Sequence, residues 1–150
     1  MREITTVRFG KIAIDEEDII RFKDGLPGFP EEKEFILIPL GENEPFLFMQ
    51  SLMDADLAFF TTNPFIFFKD YEFVLSDEVL EELDIKSPED FCVYSILSMT
   101  DKNIQNMTAN LVAPVIIQNK TKEARQVILE KTSYTTREGL FHGQSAERGR

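Results

Sequence analysis

The sequence predicts an all-β, mainly antiparallel fold: a small β-barrel-like single domain with one or two short helices. Three observations carry that reading. Apolar residues fall into short runs of five to nine, the length of strands. The runs are rich in Phe, Ile, Val, Leu and Thr, side chains that suit a pleated surface. Between them stand clusters of turn formers: GENE, DAD, NP, KDYE, TDKN and NKTKEA. Many short strands at regular spacing are the pattern of a sandwich or small barrel.

ITTVRFG, from Ile4, alternates, placing Ile4, Thr6 and Arg8 opposite Thr5, Val7 and Phe9. The acidic run Asp15 to Asp18 before Ile19-Ile20 is either a helical turn or a charged loop leading into a strand. FILIPL (35–40), PFLFMQSL (45–52), LAFFTT (57–62) and PFIFF (64–68) read as strands, as do FCVYSILSM (91–99), NLVAPVII (110–117) and RQVILEK (125–131). SDEVLEELDI is the clear helix, with Ser76 or Asp77 as cap and Val79, Leu80 and Leu83 on one face. Ser87-Pro88-Glu89-Asp90 is a second small cap with proline at the first helical position. FHGQSAERGR, from Phe141, has no periodicity and is expected to be a mobile tail.

DGLPGF (24–29) poses the choice between a phosphate-cradling loop and a turn. A Walker-type loop needs a lysine and a hydroxyl residue after its second glycine, and a dinucleotide loop needs three glycines opening a helix. Neither is present, and Pro27 and Pro30 remove donors that a phosphate would need. Pro27-Gly28 stands instead in the order that a type II turn prefers.

The chain has 150 residues, is 43% hydrophobic and 29% charged, and so has room for one domain with a core. No apolar run is long enough to span a bilayer, and the N-terminus has no secretory pattern. Cys92 is the single cysteine, which fits a reducing cytoplasm. A net charge of −11 repels phosphate backbones and favours encounter with a basic protein; solubility is its blander use.

Catalytic chemistry finds no constellation. His142, the lone histidine, lies in the expected tail, and Cys92 lies within an apolar run that suits a core residue. One Cys and one His cannot fill a zinc site. The carboxylates cluster in exposed runs, although a two-carboxylate hydrolase is not dismissed by count. No catalytic, metal or cofactor-binding residue is therefore expected. The fourteen phenylalanines serve a barrel core first. Pairs such as Phe59-Phe60 and Phe67-Phe68, if in strands, must also supply an outward face or a second core.

Several stretches together resemble the FliW family of flagellar assembly factors. They are Phe9-Gly10 with DEEDIIRF, DGLPGF, the strand from Phe35, PFLFMQSL, LAFFTTNPFIFFKDYEF and TANLVAPVIIQNKTKEARQVIL. The shared scaffold positions are Gly25, Pro27, Gly28, Phe29, Gln50, Ser51, Asn63, Pro64, Tyr71, Asn110, Ala113, Pro114 and Gln126. The resemblance implies a FliW-like β-barrel domain over residues 1–140, followed by a flexible tail, 141–150. It also implies a cytoplasmic partner switch without enzymatic activity. Flagellin occupies the factor before export, and the factor freed by export captures CsrA, the small RNA-binding repressor of flagellin translation. The partners implied are CsrA and flagellin, with no direct nucleic acid and no membrane. The CsrA contact is expected at acids beside apolar anchors: Asp54, Asp56, Asp70, Glu72, Glu78, Glu81 and Glu82. A flagellin-specific export chaperone without CsrA regulation is the alternative.

Overall fold

The first alternating run closes early, because a turn at Val7–Phe9 folds β1 (Arg2–Thr6) back onto β2 (Gly10–Ile14). The continuous strand expected from Ile4 to Gly10 is therefore two. Thr6 makes the turn: its hydroxyl accepts from Phe9 N–H at 2.8 Å and donates to Gly10 O at 3.0 Å. The acidic run takes the first of its two readings, a single 3-10 turn at Glu16–Asp18. The computed structural model describes residues 2–42, 44–99 and 101–141. The expected tail from 142 onward lies outside them, while Phe141 packs edge-on against Phe67.

Nine further strands follow: β3 (Ile20–Phe22), β4 (Glu34–Pro39), β5 (Phe46–Ser51), β6 (Ala58–Thr62), β7 (Phe91–Ser98), β8 (Thr108–Ala109), β9 (Val115–Gln118), β10 (Glu123–Gln126) and β11 (Glu138–Gly139). Two short helices lie between β6 and β7: α1 (Pro64–Phe67) and α2 (Asp77–Glu82). Strands β3-β4-β5-β6-β7 pair in sequence, β10 joins β3 to β9, and β9 returns to β7. That ring of seven strands is a closed barrel, and closure removes its sheet edges. Every pair is antiparallel except β3 with β10. The all-β, mainly antiparallel barrel expected from the sequence is the fold observed.

Period-two alternation divides each strand between two cores. Ile20, Phe22, Phe35, Met49, Val115 and Ile117 fill the barrel, where burying the two phenylalanines contributes about 1.5–3 kcal/mol each. The opposite faces carry three outer clusters. The β1–β2 hairpin covers Ile36, and α2 lays Val79 and Leu83 over Val93 and Ile116. Around Phe46, α1 and the C-terminal segment bring Phe67, Tyr134 and Leu140 together. Phe59 and Phe60 part as strand neighbours must, one toward the barrel core and the other into this outer cluster.

Three expected strands are corrected. PFIFF is the helix α1: Asn63 Oδ1 accepts from Phe65 N–H at 2.9 Å, and Pro64 holds the first helical position, where no N–H is needed. NLVAPVII is a strand only from Val115. Before it, Asn110 Oδ1 takes the amides of Val112 and Ala113, both at 3.1 Å, and Pro114 has none to give. RQVILEK continues a strand only to Gln126, because its neighbour across the sheet is that same irregular stretch. The helix α2 and its Ser76 cap are as expected, with Ser76 Oγ accepting from Val79 N–H. Ser87–Asp90 is a capping box on one 3-10 turn.

DGLPGF is a turn. Leu26 and Phe29 exchange both backbone hydrogen bonds, at 3.1 and 2.7 Å, across Pro27-Gly28. Gly28, in the third position, has φ 85°, as a type II turn requires. Leu26 is buried and joins the barrel core, so the turn plugs one end of the barrel.

Candidate interaction surfaces

The seven acids expected to meet a partner lie on three elements. Asp54 and Asp56 stand on the β5–β6 turn, Asp70 and Glu72 on the segment between the helices, and Glu78, Glu81 and Glu82 on α2. All are exposed, but they are not equally free.

The β5–β6 turn is built from inside by Gln50, whose side chain is fully buried. Its amide donates to the carbonyls of Ser51, Asp54, Ala55 and Leu57 at 3.1–3.2 Å. Ser51 Oγ accepts from Met53 and Asp54 N–H and donates to the Glu32 carboxylate. Asp54 spends Oδ1 on Asp56 N–H at 3.0 Å, leaving the Asp56 carboxylate outward. The β1–β2 turn leans on this loop: Val7 N–H reaches Ala55 O at 2.9 Å, and the Arg8 guanidinium donates to Asp56 O. Val7 and Met53, on these two turns, are both exposed.

On α2 the glutamates divide. Glu78 and Glu82 both pair with Arg125 of β10, Glu78 at 3.2 Å. The Glu82 bond, ahead of burial and then of the Glu78 bond, dominates the balance that raises the Arg125 pKa. Glu81 has no ion-pair partner among the described residues. Arg125 was not singled out from sequence; its distance of more than forty positions from the glutamates hid the pairing.

An apolar groove of about 640 Å³ adjoins α2, with Phe65, Val74, Leu80, Ile85, Pro88 and Phe91 in its walls. Of the fourteen phenylalanines only Phe29 and Phe65 are exposed, both at 40%, and Phe65 is the one on the groove. Val74 stands 91% exposed at its lip. An apolar cleft of this size, with Lys86 as the charged residue of its lining, can take the apolar face of an amphipathic segment.

The remaining scaffold residues hold chain segments together. The Tyr71 hydroxyl donates to Leu111 O at 2.7 Å, and burial, then the nearby Tyr134, raises its pKa. Gln126 Nε2 donates to Ala113 O at 3.0 Å, tying β10 to the stretch that Asn110 shapes.

Among the described residues, Asp90 and Asp101 hold their carboxyls below the ordinary range, chiefly through backbone N–H donors. A general acid needs the opposite shift. Burial pushes the Cys92 thiol up, against a smaller opposing effect of Lys122, so its environment disfavours a thiolate. Among the described residues, no group of three or more His, Cys, Asp or Glu side chains converges as a metal site. No helix among them is long and apolar enough to cross a membrane.

Comparison with known proteins bears on the barrel and on both surfaces. The family model described as "FliW protein" matches residues 3–140. The chain belongs to the FliW family. It is 46% identical over 134 residues to the flagellar assembly factor FliW of Bacillus subtilis (strain 168), covering 89% of this chain and 93% of that protein. Against the flagellar assembly factor FliW of Desulfitobacterium hafniense (strain DSM 10664 / DCB-2) it is 42% identical over 145 residues, covering 97% and 95%. A crystal structure of the flagellar assembly factor FliW superposes with a TM-score of 0.85 at 41% identity, covering 93% of this chain and 97% of that one. FliW membership therefore spans the barrel, both helices and the groove, rather than a fragment of them.

Proposed function

We propose that this protein is a flagellar assembly factor that acts by binding and not by catalysis. It holds flagellin in the groove beside Phe65 and binds CsrA through its acidic surface, so that flagellin supply sets how much CsrA is free to repress flagellin translation. The observation that carries the reading is FliW membership over residues 3–140, joined to a groove whose wall includes one of two exposed phenylalanines. Two chemically different surfaces support two partners. The groove suits the apolar face of an amphipathic flagellin helix that is unpaired before assembly. The outward Asp56, Asp70, Glu72 and Glu81 suit a basic RNA-binding protein, for which charge sets the encounter rate.

Flagellin titrated against Phe65→Ser and Phe29→Ser variants tests the groove. Phe65→Ser is expected to weaken flagellin binding about tenfold or more, and Phe29→Ser to leave it unchanged. Equal flagellin affinity in both variants and the parent protein contradicts this placement.

A further inference from the structure

The ring closes between β6 and β7 over two residue pairs only, Thr61 with Ile96 and Thr62 with Ser95. Asn63 and Pro64 then turn the chain into α1, so β6 does not reach the first half of β7. That half is regular strand: Phe91 to Tyr94 pair in register with Gln118 to Val115 of β9 on the other side. Asn119 N–H donates to Asp90 O at 2.8 Å, which sets the alternation of that ladder. Asp90, Cys92 and Tyr94 turn their main-chain groups toward β9, and Phe91 and Val93 turn theirs the opposite way. Among the described residues, the N–H and C=O of Phe91 and Val93 have no partner. Val93 is only 6% exposed, and backbone groups at such depth are ordinarily paired.

This open edge is the floor of the apolar groove, which Phe91, Cys92 and Val93 all line. Cys92 packs its side chain against the barrel core, so the groove reaches the β7 main chain itself. Phe91 and Val93 lie on the outer face with Leu80 and Ile85, and a strand laid beside β7 brings every second side chain out among them. Lys86 is the one charged residue of the lining among the described residues, and Asp84 stands 4.0 Å from its ammonium. The complementary stretch is therefore uncharged, with apolar residues at alternate positions.

We propose that the partner held in this groove adds a short strand to β7, pairing its main chain with Phe91 and Val93. This rests on the reading of the groove as the flagellin site and names what flagellin presents there. An uncharged, extended stretch lies over β7 and adjoins the amphipathic helix against Phe65 and Val74. Open edge groups select an extended main chain, and the groove walls select its alternate side chains. A second copy of this chain, itself carrying −11, is opposed by its own charge.

The test is NMR of the isotope-labelled full chain, alone and saturated with isotope-labelled flagellin, beside a flagellin titration of the Phe65→Ser variant. Flagellin is expected to slow amide exchange at Phe91 and Val93 about tenfold or more, and to give through-hydrogen-bond couplings between these residues and its own main chain. Flagellin binding that Phe65→Ser weakens, but that shows no coupling at either residue, overturns the added strand and leaves the groove as the flagellin site. No binding of flagellin, or binding that Phe65→Ser leaves unchanged and that shows no coupling, overturns both. Protection of these two amides without flagellin, growing with protein concentration, assigns the edge to a second copy and overturns the proposal as well.

Discussion

Arg125 of β10 lies between Glu78 and Glu82, one helical turn apart on α2, and so fastens that helix to the barrel wall it packs on. The three side chains are partly solvated, Arg125 at 38%, so the attachment is modest and sensitive to salt. A double-mutant cycle of Glu82→Gln with Arg125→Met should give about 0.5–1 kcal/mol of coupling at low ionic strength, shrinking in 1 M salt. Thermal unfolding at both ionic strengths measures it. Glu81→Lys, outside this pairing, should leave the melting temperature unchanged and slow CsrA association, which stopped-flow kinetics resolves.

The two glycines of DGLPGF separate in the same way under substitution. A Cβ on Gly25 would sit 2.5 Å from Pro30 O, at φ 70°, whereas one on Gly28 meets nothing within 4 Å, at φ 85°. Gly25→Ala therefore adds a backbone collision to left-handed strain and should cost about 3 kcal/mol or more. Gly28→Ala pays for strain alone, about 1 kcal/mol. Chemical denaturation of both variants checks the order; equal losses contradict it.

Gln50 predicts a local effect. Gln50→Leu removes the amide that gathers four turn carbonyls, and should destabilise the protein by about 1–3 kcal/mol. Hydrogen exchange should rise at Met53, Asp54 and Asp56, whose amides depend on the turn that Gln50 holds.

Tyr71 links stability to alkaline pH. Its pKa is raised in the folded state, so the unfolded chain loses this proton first, near pH 10. The contribution is complete below that pH and is lost as pH climbs toward the folded value. Burial raises Tyr94 as well, so the slope belongs to both tyrosines. Tyr71→Phe should cost about 1–2 kcal/mol at pH 7, by leaving Leu111 O without its donor, and should flatten the decline above pH 10. Urea unfolding at pH 7, 9 and 10.5 measures both.

The strand periodicity made the barrel legible, because Phe35, Leu37, Met49 and Phe59 alternate with residues of the outer clusters as the sequence alternates. What it hid were places where side chains compete for backbone groups. Asn63 and Pro64 carried a helix-start signal inside an apolar run that otherwise matched a strand. Asn110 diverted two amides from the sheet, which no apolar pattern records. The acids were legible as charge but not as free charge: only the fold brings Arg125 to Glu78 and Glu82 and leaves Glu81 unpaired among the described residues. The groove depended on the 73–75 segment meeting α2 and β7, a junction of distant residues with no local signature.

The central claim is a partner switch, and calorimetric titration of this protein with purified CsrA, alone and after saturation with flagellin, tests it most directly. The account predicts tight binding to CsrA that saturating flagellin abolishes. Binding to flagellin with none to CsrA, or CsrA binding that flagellin leaves untouched, contradicts it.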